Sequence, residues 1–147
     1  MNKVIFTDFD GVLHPVDAGE VVTINGEWDF VGEDLFCWAP LLWRLISPHD
    51  VGIVIHSSWR RTYSLAELKR RFPPEMRDGV VGITEGPGRW GSILRYVAHH
   101  RVGQYLVLDD MPEEFPPNWE PLVVCDEALG ISPDPIQERI RRFAAKG

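Results

Sequence analysis

Cysteine is nearly absent: Cys37 and Cys125 are the two in 147 residues, far apart and each among apolar neighbours. That excludes a disulfide framework, predicts two buried free thiols and suits a reducing compartment. Neither has a Cys or His partner at zinc-ligand spacing, and His56, His99 and His100 show no such spacing among themselves, so no zinc site is expected. Basic charge is scarce too, with 15 Lys and Arg against 22 Asp and Glu and a net charge of -7. A chain-wide basic footprint for nucleic acid is thereby excluded, although a local patch is not. No apolar run is long enough to cross a bilayer, so no membrane partner is expected. The first strand opens almost at the first residue, which leaves no room for a signal peptide and points to the cytoplasm. Repeats, low-complexity tracts and linkers are lacking as well. One domain over residues 1–147 is expected.

What is present is a pattern of strands that end in polar residues. Val4-Ile5-Phe6-Thr7 is an apolar, β-branched and aromatic run that stops at Asp8-Phe9-Asp10-Gly11. It reads as a buried parallel strand, with Gly11 marking a sharp turn. Carboxylates one residue apart repel, and a divalent cation is the usual remedy. Val51–His56 reads as a second apolar strand, closing at Ser57-Ser58-Trp59-Arg60, and Gln104–Leu108 as a third, closing at Asp109-Asp110. Open α/β sheets bind ligands at the carboxyl ends of their strands, so three strand tips deliver chemistry to one edge.

Between these lie the connections. Asn25-Gly26, flanked by β-prone runs, predicts a hairpin over about 20–31 that sits as a flap over the strand ends. Apolar residues at helical spacing predict a helix from about Glu33 to Ile46, ended by Ser47-Pro48. Ser64 caps a basic helix, Leu65–Phe72, that stops at Pro73-Pro74. A short strand over Gly79–Thr84, a helix from about Gly91 to His100 and a strand at Val123–Cys125 follow. Ser132-Pro133 predicts an N-cap with proline at the first helical position, opening a helix to about Ala145. Strands alternating with helices predict an α/β, doubly wound parallel sheet. The six Trp residues are expected mostly in the core; Trp28 on the flap and Trp59 beside Ser57 are the two placed to stack on a ring or base.

In order and in strand context, Asp8-Phe9-Asp10-Gly11, Ser57 after its strand, Arg89-Trp90-Gly91 and Asp109-Asp110 resemble the four motifs of the haloacid dehalogenase (HAD) phosphohydrolase superfamily. With the closing Leu129-Gly130-Ile131-Ser132, they look most like the small HAD domains associated with bacterial RNA-repair proteins. The resemblance implies a Rossmann-like sheet and a phosphatase. Asp8 would be the nucleophile forming an aspartyl-phosphate, and Asp10 the general acid and base. Ser57 would bind the phosphoryl oxygen and Arg89 balance charge, with Arg95, Lys69 and Arg70 as alternatives to Arg89. The implied cofactor is Mg2+, held by Asp8, Asp109, the Asp10 backbone carbonyl and Asp110, the last either through water or as a supporting partner. Ser58 and Arg60, with Arg61, are candidate contacts to further substrate phosphates or simply a solvated helix start. His14 is either a structural residue or a substrate contact.

Neither gap between motifs holds a separate folded domain, so no cap is expected and the site is open. In this superfamily open sites go with macromolecular substrates. The expected partner is therefore a phosphate ester, including nucleic-acid ends, and no obligate protein partner is implied. A small-molecule phosphatase of the same mechanism and a catalytically degenerate binding domain are the alternatives. A receiver-type phospho-acceptor is disfavoured, because there the acidic pair follows the first strand.

Overall fold

The computed structural model describes residues 2–147. Five parallel strands form the central sheet in the order β5-β4-β1-β6-β7: β1 Lys3–Thr7, β4 Gly52–Ile55, β5 Val80–Ile83, β6 Gln104–Asp109 and β7 Leu122–Val124. β1 lies at the centre with β4 and β6 on its flanks, so the tips bearing Asp8, Ser57 and Asp109 are neighbours. The expected doubly wound α/β sheet is observed.

Side-chain alternation divides the core between the two faces of the sheet. Ile5, Ile53, Ile55, Leu106 and Leu108 pack on one face with α1 (Ala39–Ile46), the short α2 (Leu65–Lys69) and α4 (Asp134–Ala145). Val4, Phe6, Val54 and Val107 pack on the other with Ile93 of α3 (Arg89–His100) and Phe115. Both faces are covered, which is why these strands read as near-continuous apolar runs.

β2 (Glu20–Ile24) and β3 (Glu27–Val31) pair as the antiparallel hairpin expected around Asn25-Gly26, both with positive φ. Together with α1, this hairpin fills the chain between β1 and β4, and no cap domain is inserted.

Several local expectations are corrected. α1 begins at Ala39, not Glu33, because Phe36 adopts a left-handed φ of 61° and Pro40 opens the helix. Cys37 is consequently exposed, while Cys125 is buried as expected. Ser132 does not cap α4: its hydroxyl donates to the Leu129 carbonyl at 2.6 Å, and Pro133 takes the cap position. Ser64 does cap α2, sharing a reciprocal capping box with Glu67, but the helix ends at Lys69. Of the six Trp residues only Trp59 is buried; Trp28 and Trp90 are exposed.

Candidate active site

Asp8 follows β1 directly and is 2% exposed. Its Oδ1 accepts from the Phe9 N–H at 2.8 Å. The chain then turns at Gly11, whose φ of +74° and lack of a Cβ are both needed: a Cβ there would collide with the Asp110 carboxylate. The closing Leu129-Gly130-Ile131 segment braces this loop from outside. The Ile131 N–H donates to the Val12 carbonyl at 3.1 Å, and Gly130 leaves room for that approach.

Asp10 points away from Asp8's partners, into two donors of its own. Trp59 Nε1–H donates to Oδ2 at 3.1 Å, and His14 Nε2 lies 2.9 Å from Oδ1. The Phe36 N–H donates to His14 Nδ1 at 3.1 Å, so the imidazole proton sits on Nε2 and is donated to Asp10. His14 is fully buried. It is thus structural, as one of the two sequence readings held, and what it structures is Asp10. Sequence reasoning missed this positioning pair, because the left-handed turn at Phe36 that supplies the N–H has no signature in periodicity.

Asp109 closes β6 with no exposed surface, and its Oδ1 accepts from the Met111 N–H at 2.9 Å. Carboxylate oxygens of Asp8, Asp109 and Asp110 lie within 4.8 Å of one another. Arg89 opens α3, and its Nη1 donates at 2.8 Å to Oδ2 of both Asp8 and Asp109. It is Arg89, and not Arg95, Lys69 or Arg70, that reaches the carboxylates. Arg95 instead donates to the Pro87 carbonyl, holding the turn before α3.

The electrostatics follow from crowding. Burial, and then the charge of Asp109, push Asp8 up to about 7 despite the opposing pull of Arg89. Burial likewise raises Asp109 and Asp110. Burial alone would weaken the charge on Arg89, but Asp8 and Asp109 outweigh it and hold the guanidinium protonated well above its usual range. His56 is driven down to about 3 by burial, then by Arg89 and Arg60, and stays neutral. Its Nε2 is buried without a partner, 3.9 Å from Asp109 Oδ2.

Three hard oxygen donors converge here, two of them share one arginine nitrogen, and burial together with the charge of Asp109 holds Asp8 up at about 7. That donor set fits a divalent cation of the Mg2+ type. The Asp10 side chain stands outside the cluster, held by His14 and Trp59; its expected part in metal binding was through the backbone carbonyl.

Ser57 is buried at the end of β4, and its Oγ accepts from the Trp59 N–H at 3.2 Å. With His56, Ser58, Arg60, Arg61 and Arg89 it lines a cavity of about 50 Å³. Ser58 sits exposed at its rim. Arg60 is largely committed elsewhere, donating to Thr84 Oγ1 (2.9 Å), the Gly86 carbonyl (2.7 Å) and Ser92 Oγ (3.2 Å). It braces the loop that delivers Arg89. Arg61 is exposed.

A family model described as "HAD domain in Swiss Army Knife RNA repair proteins" matches residues 4–136. Comparison with curated proteins and with solved structures gives no match. The matched span runs from β1 into α4 and takes in the strand tips, Arg89 and the closing Gly130 segment. The chain therefore belongs to the HAD domains of Swiss Army Knife RNA repair proteins.

Proposed function

We propose that this chain is a Mg2+-dependent phosphomonoesterase working through Asp8, and that its substrates are phosphorylated nucleic-acid ends. One observation carries the reading: carboxylates from two adjacent strand tips converge within 4.8 Å, and a guanidinium bridges two of them. Membership of the HAD family supports phosphoester hydrolysis, and the family's place in RNA repair proteins supports nucleic-acid ends. The lack of an inserted cap supports an open site able to admit a chain end.

Asp8, Asp109 and Asp110 would hold the ion, with the Asp10 backbone carbonyl. Bound Mg2+ supplies positive charge to the phosphoryl oxygens and favours the ionised form of Asp8. Ser57 and Arg89 flank the small cavity where the phosphoryl group is bound and oriented. A carboxylate oxygen of Asp8 attacks phosphorus; the bond to the leaving oxygen breaks, and Asp10 protonates that oxygen as it departs. Asp10, now a carboxylate, takes a proton from water, which attacks the same phosphorus. The bond to Asp8 breaks and orthophosphate leaves. Asp10 thus acts as acid and then base, and His14 and Trp59 hold it in place for both roles.

The test is phosphate release from an aryl phosphate and from 3′- and 5′-phosphorylated oligonucleotides with Mg2+ present. Expected are turnover by the wild type, its abolition by chelation, and loss in Asp8→Asn of at least about a thousandfold. Equal rates for wild type and Asp8→Asn would remove Asp8 from the mechanism. Hydrolysis of small esters but not oligonucleotides would instead favour a small-molecule phosphatase.

A further inference from the structure

Trp28 carries a consequence of the hairpin's orientation. Residues two apart on a strand share a face, so Trp28 and Phe30 of β3 point the same way. Phe30 packs against Trp59 with ring centroids 5.0 Å apart, which makes that face the inward one. Trp28 therefore faces the body of the protein, yet it is 53% exposed. The space it faces is a cavity of about 140 Å³ lined by Trp28, Phe30, Ser58, Trp59, Thr62 and Tyr63. Ser58 lines both this cavity and the one lined by Ser57 and Arg89, so the two adjoin at Ser58.

The other aromatic rings there are already engaged. Trp59 is 8% exposed and bound to Asp10. The Arg71 guanidinium lies over Trp59 and Tyr63, 5.5 and 5.2 Å from their ring centroids. Arg71 also donates to Asp29 Oδ1 (2.7 Å) and to the Phe30 carbonyl (3.0 Å), and Tyr63 O–H donates to Asp29 Oδ1 (2.8 Å). These bonds pin the hairpin to the body, and Trp28, which meets Tyr63 edge to face with centroids 6.4 Å apart, keeps the rest of its ring exposed on a fixed mount. The exposed Arg61 lines the adjoining Ser57 cavity and adds positive charge there. An aromatic face beside a phosphate-binding cavity and an arginine is the combination that binds a nucleotide ring and its backbone.

We propose that Trp28, with Phe30, Tyr63 and Ser58 around it, forms a subsite that stacks the terminal nucleobase of a phosphorylated nucleic-acid end. This rests on the hydrolase reading above for where the phosphate sits. The subsite gives the open site a preference for nucleotide over aliphatic leaving groups, without base-specific hydrogen bonds.

The test uses Asp8→Asn protein with Mg2+, in which turnover is blocked, and fluorescence anisotropy of labelled single-stranded oligoribonucleotides with a 3′- or 5′-terminal phosphate. Each is compared with the same strand made abasic at the phosphorylated nucleotide. Expected is a 5- to 100-fold weakening of the base-bearing strand by Trp28→Ala, roughly what one stacked base contributes. The abasic strand should bind the two proteins alike, and Trp28→Phe should keep most of the affinity. An unchanged urea midpoint for Trp28→Ala would show that the fold is intact. Equal weakening of both strands, no weakening, or no binding by the Asp8→Asn parent would overturn the subsite. Failure of the wild type to release phosphate would overturn the hydrolase reading alone, since the binding comparison needs no turnover.

Discussion

Asp10, the proposed acid and base, shows how far a side chain's placement is set by groups around it. Both of its oxygens are engaged, Oδ1 by His14 and Oδ2 by Trp59, and His14 is oriented by a backbone N–H whose position depends on the left-handed Phe36. His14→Leu removes one donor while keeping an apolar side chain of similar bulk. If Asp10 protonates the leaving group, kcat should fall about tenfold or more for an alkyl phosphate and less for an aryl phosphate, which needs little protonation. Equal losses on both substrates would mean that His14 supports the loop in general and not the acid. At this scale the residues legible in the sequence were those marked by a strand end: Asp8, Ser57, Asp109 and Asp110 follow apolar runs, and Arg89 follows a glycine turn. Asp10's partners were not legible, since Trp59 reads as a ring placed to stack on substrate and His14 as a structural residue or a substrate contact until the chain has turned back on itself. Arg60 is the converse, a plausible phosphate ligand whose donors instead tie down Thr84, Gly86 and Ser92.

The hairpin, as an element, forms where it is expected, but its attachment to the body was not foreseen. Asn25-Gly26 set its position and register through the positive φ that this turn demands. What no local rule foretold is that the flap is fastened: Arg71, just beyond α2, reaches across to Asp29 and the Phe30 carbonyl. Arg71→Ala should raise amide hydrogen exchange over Glu20–Val31 while leaving the central sheet protected. The global cost should be below about 1 kcal/mol, since Arg71 and Asp29 are both partly exposed. Unchanged exchange in the hairpin would show that Phe30 packing on Trp59 suffices to hold it. α1 was legible from Leu42, Trp43 and Ile46 but placed too early, because apolar Leu35 and Phe36 continue the helical spacing through a segment that is a turn.

For the whole molecule, parallel pairing of β1 with both β4 and β6 converts three separate stretches of sequence into one polar edge. That arrangement was legible because each strand is buried on both faces and ends abruptly. It concentrates negative charge in a chain that already carries -7. With Asp8 raised to about 7 in the folded state, above the usual carboxylate value it would have unfolded, its protonated form stabilises the fold at low pH. That contribution is lost as pH rises through about 7. Metal-free protein should therefore melt at lower temperature at pH 8 than at pH 5, and added Mg2+ should raise Tm more at pH 8, where the carboxylates are ionised. Asp8→Asn should flatten both trends. A Mg2+ shift that is the same at both pH values would argue against a cation site at these carboxylates.

The most direct measurement is acid-quenched turnover of a phosphorylated substrate, followed by mass spectrometry of the peptide that spans β1 and the following loop. The expected result is one added phosphoryl group located at Asp8, formed only with Mg2+ and absent from Asp8→Asn. Phosphate release at an undiminished rate with no phosphoryl group ever found on Asp8, or with the group found on another residue, would contradict it.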